Sequence, residues 1–127
     1  MRELRVLVVD DHPINRLVCK ELLQLLGCSV DTAEDGEQAL EATRAKPYDL
    51  ICLDRHMPGM HGDDVLARLP ADQFVVAWST DSDGVPPRFN GWLDKPISIP
   101  AAAAVIDAAS RAREAAAQAR LGLRAAI

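Results

Sequence analysis

Three acids in this chain, Asp10, Asp11 and Asp54, each follow a short apolar run, Leu4 to Val9 before the pair and Leu50 to Leu53 before the third. If the runs are neighbouring parallel strands, the carboxylates gather at one sheet edge and repel one another. Such repulsion raises pKa values or recruits a cation, and a ligand set made only of hard oxygens suits Mg²⁺. An isolated Asp-Asp pair after a strand often does no more than cap a helix or turn. A third strand-end acid argues against that blander role. Beyond two further apolar runs stand Ser79 and Lys95. Singly, each is more often a plain strand-end hydroxyl and a solvated lysine. Together with the acids they supply what phosphoryl transfer needs, since positioning and charge neutralisation do most of that catalysis.

The elements that must hold these groups are readable from apolar periodicity. Leu4 to Val9 is almost unbroken in Val and Leu, as a strand buried on both faces would be. After Pro13, suited to a first helical turn, apolar residues recur at Ile14, Leu17, Val18, Leu22, Leu25 and Leu26, with Gly27 as the expected C-cap. Cys28 to Ala33 reads as a second strand, Asp35 to Ala45 as a second helix stopped by Pro47, and Asp49 to Asp54 as a third strand. A short helix over about Asp63 to Leu69 precedes a fourth strand, Phe74 to Trp78. Trp92 and Leu93 mark a very short fifth strand, and an Ala-rich helix runs from Ile99 to about Leu121. Strands alternating with helices imply an α/β fold, a doubly wound parallel sheet with helices on both faces. In such sheets the site lies beyond the carboxyl ends of the strands, where these acids stand.

Composition removes several function classes. At 127 residues the chain has room for one domain with a real core. A formal net charge of −5 and no clustering of Lys and Arg exclude a nucleic-acid surface. No apolar run is long enough to span a membrane and no signal peptide is readable, so a cytoplasmic location without direct membrane contact is expected. Cys19, Cys28 and Cys52 are odd in number and lack CxxC spacing, and are read as small buried hydrophobes.

Four segments in order, Val8-Val9-Asp10-Asp11, Asp54-Arg55-His56-Met57-Pro58-Gly59-Met60-His61-Gly62, Val76-Ala77-Trp78-Ser79 and Leu93-Asp94-Lys95-Pro96-Ile97, resemble the response-regulator receiver family. The likeness covers about residues 4 to 110. It implies a five-stranded flavodoxin-like sheet in the order 2-1-3-4-5. It also implies that Asp54 accepts a phosphoryl group from a phosphohistidine. Asp10, Asp11, Asp54 and the backbone carbonyl of His56 would hold Mg²⁺, Lys95 would pair with the phosphoryl group and Ser79 would hydrogen-bond it. Trp92 stands where the family keeps an aromatic that moves inward as Ser79 shifts, its alternative being ordinary core packing. Asp10-Asp11-His12-Pro13-Ile14-Asn15-Arg16 and the His-Met-Pro after Asp54 look most like receivers of hybrid sensor kinases. The implied partners are a histidine kinase or a histidine phosphotransfer domain, with oligomeric state open. The implied chemistry is self-phosphorylation followed by slow autodephosphorylation.

The chain also departs from the family. From Ser79 to Lys95 it is several residues short and carries Gly84, Pro86 and Pro87, so the fourth helix of the family is expected to be shortened or absent. That weakens expectations for signalling through the surface the helix usually helps form. Thr80 stands where many receivers have a smaller residue, which would narrow access to the phosphoryl group. Residues 1–110 are expected to form the receiver, and 111–127 to extend the last helix as a linker, a partner helix or a fraying tail. Two other functions compete with this one. A phosphorylation-independent pseudo-receiver is disfavoured by the intact set of acids, Ser79 and Lys95. A Mg²⁺-dependent phosphohydrolase would want an Asp-x-Asp pair, which Asp54-Arg55-His56 does not supply.

Overall fold

The structure, a computed structural model, describes residues 3–80 and 88–126. Its elements run β1 (Arg5–Val9), α1 (Pro13–Leu25), β2 (Ser29–Ala33), α2 (Gly36–Ala45), β3 (Leu50–Asp54), α3 (Gly62–Arg68), β4 (Val75–Ser79), β5 (Gly91–Asp94) and α4 (Ile99–Ala126). All five strands are parallel, in the order β2-β1-β3-β4-β5. The predicted order is therefore the observed one, and predicted boundaries differ mostly by a residue or two. The last helix runs further than expected, to Ala126. The expectation of a shortened or missing helix between β4 and β5 falls largely on residues 81–87, which lie outside the described residues.

The near-continuous apolar runs follow from burial on both faces. Along β1, Val6 and Val8 join one core while Leu7 and Val9 join the other. The same alternation sends Leu50 and Cys52 one way and Ile51 and Leu53 the other, as period-two side chains must. One core packs under α1 and α4 through Cys19, Leu23, Ala102 and Ala109. The opposite core packs under α2 and α3 through Ala39, Leu40, Val65 and Leu66. All three cysteines are free and buried, as read from the sequence.

Helix ends are set locally. Asp35 caps α2 by accepting a hydrogen bond from Gln38 N at 2.8 Å. At the end of α1 the cap is Leu26, and Gly27 follows it at φ +95°. Gly27 N donates to Gln24 O and Cys28 N to Leu23 O, each at 3.0 Å, the paired bonds of a Schellman ending that needs a left-handed residue. The turn delivers the chain into β2 beside β1. The chain then crosses to β3 on the other side of β1, so the strand order switches at the carboxyl ends of β1 and β3.

Candidate functional site

The register of β1 and β3 pairs Val8 with Cys52 and Val9 with Leu53. One step further, Asp10 falls beside Asp54. Both side chains are buried, Asp10 at 1% exposure and Asp54 at 4%, which is rare for carboxylates without partners. Asp10 Oδ1 accepts from His12 N at 2.8 Å and Asp10 Oδ2 lies 2.8 Å from Lys95 Nζ. Asp54 Oδ1 accepts from His56 N at 3.0 Å and stands 3.5 Å from the same ammonium. Asp11 is exposed, yet oxygens of Asp10, Asp11 and Asp54 all lie within 4.8 Å of one another.

Burial pushes the Asp54 carboxyl up to about 6. The His56 N–H and the Lys95 charge oppose that rise, and the Asp10 charge adds to it. The backbone of Asp54 is fixed from the other side by α3. Gly62 N donates to Arg55 O at 3.2 Å, and a Cβ on Gly62 would stand 2.2 Å from the Asp54 carbonyl oxygen. Only glycine fits there.

β4 contributes Ser79, 3% exposed, and β5 leads to Lys95, whose N–H reaches Ser79 O at 3.3 Å. The Lys95 ammonium also stands 5.6 Å from the ring centroid of Trp78, which pairs with Asp54 in the sheet register. Asp10, Asp11, His12, Asn15, Asp54, His56, Ser79, Thr80 and Lys95 line one open cleft of about 260 Å³. Asp10, Asp11, Asp54, Ser79, Lys95 and His56 are thus brought together as the sequence suggested. Trp92 is not among them. It is 52% exposed on β5, which rules out the core-packing alternative.

Three hard carboxylates at this spacing form a donor set suited to a small divalent cation. With two of them buried, the single ammonium leaves net negative charge for the cation to offset. Sequence reading missed two residues that hold the frame. Arg16 Nη1 donates to Asp10 O at 2.8 Å, and Arg88 donates to the carbonyls of Leu66, Leu69 and Pro70 at the end of α3. Both bond to backbone oxygens, which no residue pattern announces. Arg16 closes the segment Asp10-Asp11-His12-Pro13-Ile14-Asn15-Arg16 that looks most like receivers of hybrid sensor kinases.

A family model described as the response regulator receiver domain matches residues 6–107. Sensor protein EvgS of Escherichia coli is 46% identical over 67 residues, covering 53% of this chain and 6% of that protein. Sensor histidine kinase GacS of Pseudomonas protegens is 35% identical over 82 residues, covering 65% of this chain and 8% of that protein. The chain thus spans less than a tenth of either relative. Among solved structures, a CheY-like response regulator receiver domain from Methylobacillus flagellatus superposes with a TM-score of 0.78 at 26% identity. That match covers 85% of this chain and 99% of the other.

Proposed function

The chain belongs to the response regulator receiver family, and from that premise we propose that it is a phosphorelay receiver whose phosphoacceptor is Asp54. A carboxylate oxygen of Asp54 attacks the phosphorus of a phosphohistidine donor. The P–N bond breaks, its electron pair stays on the imidazole nitrogen, and an aspartyl phosphate forms. Asp10, Asp11, Asp54 and the backbone carbonyl of His56 would hold Mg²⁺, which when bound would supply positive charge against the transferring group. Lys95 pairs with the phosphoryl oxygens as a compact charge on a flexible stem, and Ser79 donates its hydroxyl to them. The observation that carries this reading is the burial of Asp54 beside Asp10, with one ammonium within 3.5 Å of both.

The partner is a histidine kinase or histidine phosphotransfer domain in the cytoplasm, as likeness to sensor kinases supports. Among the described residues no helix is long and apolar enough to cross a membrane. Such a partner docks along α1, where Ile14, Leu17 and Val18 are exposed and Asn15 reaches the cleft. Trp92 moves inward as Ser79 closes on the phosphoryl group. Residues 1–110 form the receiver, and the segment from residue 111 onward, which continues α4 to Ala126, serves as a linker. Mass spectrometry after incubation with acetyl phosphate and Mg²⁺ tests the central claim. One phosphate is expected on the chain and none on Asp54→Ala, and labelling of that variant would overturn the assignment.

A further inference from the structure

We infer that Arg16 is a positioning residue for the cation site, holding the peptide that joins Asp10 to Asp11; this rests on the Mg²⁺ reading above. Arg16 lies in the first turns of α1 and points its guanidinium back over the end of β1. Nη1 donates to Asp10 O at 2.8 Å, while Nη2 stands 3.6 Å from Glu34 Oε1, beyond β2. The Arg16 side chain is 16% exposed, so its bond to the carbonyl is shielded from water, whereas Glu34 is largely exposed. Asp10 N donates to Ala33 O at 3.2 Å, and His12 N bonds the Asp10 side chain at 2.8 Å. None of these bonds uses the Asp10 carbonyl, which accepts from Arg16.

That carbonyl belongs to the Asp10–Asp11 peptide, whose rotation swings the exposed Asp11 carboxylate towards Asp54 or away from it. A planar fork suits this task. It reaches the carbonyl and the Glu34 carboxylate at once, which the single ammonium of lysine cannot do in the same geometry. Glu34 also offsets the guanidinium charge, so that a fixed cation sits near a cation site with reduced repulsion.

Positioning and charge predict opposite signs. If Arg16 acted only as a charge, removing it would tighten Mg²⁺ binding. If it sets the turn, removing it weakens binding despite the lost repulsion, by roughly tenfold, the lower end for residues that orient metal ligands. The experiment titrates Mg²⁺ into the wild-type chain, Arg16→Ala and Arg16→Lys. Tryptophan fluorescence and the amide shifts of Asp11 and His12 report binding, and melting is measured without metal. Weaker binding in both variants is the expected result, and Arg16→Lys carries the test alone should Arg16→Ala not fold. Unchanged or tighter binding in Arg16→Ala overturns the inference, as does wild-type affinity in Arg16→Lys. A wild-type chain that binds no Mg²⁺ overturns the site reading and this inference with it.

Discussion

The ammonium of Lys95 rests 2.8 Å from Asp10 Oδ2, closer than its 3.5 Å to Asp54 Oδ1. Lys95 therefore stands in for part of the positive charge that three clustered carboxylates call for, and Asp54 is the less closely paired of the two buried acids. Removing the lysine leaves two buried carboxylates without a cation. Lys95→Ala should lose about 3 kcal/mol of stability in metal-free buffer, the lower end for a broken buried pair because the site opens to solvent. Mg²⁺ should recover more of this loss in the variant than it adds to wild type. Urea denaturation with and without Mg²⁺ measures both, and equal Mg²⁺ responses would contradict the stand-in role.

The raised Asp54 carboxyl makes a second, pH-dependent prediction. Its folded value of about 6 exceeds the ordinary 3.8, so between those pH values the folded state binds more protons than the unfolded one. Stability from this group is then greatest at low pH and falls as pH rises through about 6, the reverse of a salt-bridged acid. Asp54→Asn, which cannot ionise, should be more stable than wild type at pH 8 in EDTA, by about 1–3 kcal/mol. The difference should vanish below about pH 4. Melting curves across that range decide it, and a gain that persists at pH 4 would mean the asparagine acts by some route other than removal of charge.

Most of this site could be read before the fold was seen because the acids are strand ends, and strands buried on both faces announce themselves as unbroken apolar runs. Once β1 and β3 are neighbours, the pairing of Val9 with Leu53 leaves Asp10 and Asp54 nowhere else to go. What could not be read were groups whose partners are backbone atoms far along the chain. Arg88 fastens the end of α3 to the segment before β5, and Asn90 Oδ1 accepts from Val75 N at 2.8 Å, yet neither belongs to a periodic pattern. The exposure of Trp92 was also hidden, since a short edge strand gives too few residues for a facing to be assigned.

The proposed docking along α1 makes a kinetic prediction. Val18 is exposed among Ile14, Leu17 and Leu25, so a charge there disrupts an apolar contact without disturbing the core. Val18→Glu should slow phosphoryl exchange with the cognate histidine domain by about tenfold, as loss of a small interface anchor would. Labelling by acetyl phosphate should be unchanged. Wild-type exchange rates in Val18→Glu, checked by radiolabel transfer, would move the docking surface elsewhere.

The close approach of α3 to the backbone of Asp54 gives the sharpest structural prediction. A methyl group on Gly62 would meet Asp54 O at 2.2 Å, Arg55 Cα at 2.8 Å and Asp54 C at 2.9 Å, all of them backbone atoms. No rotamer change relieves such contacts, so either α3 lifts or the end of β3 moves. Lifting α3 strains the Gly62 N bond to Arg55 O and uncovers Val65 and Leu66, which are buried against the sheet. Moving β3 displaces the Asp54 carboxylate from His56 N and Lys95. Gly62→Ala should therefore cost about 2–3 kcal/mol, at the upper end of overpacking, and should also lower the rate of labelling by acetyl phosphate. Gly122→Ala is the matched control. Gly122 sits in the exposed C-terminal part of α4 with nothing near the position of an added Cβ, so alanine there should stabilise by up to about 1 kcal/mol through helix propensity alone. Chemical denaturation and labelling of the two variants side by side distinguish the clash from a general effect of replacing glycine. If Gly62→Ala keeps both stability and labelling rate, the helix is not packed against Asp54 as closely as these distances require.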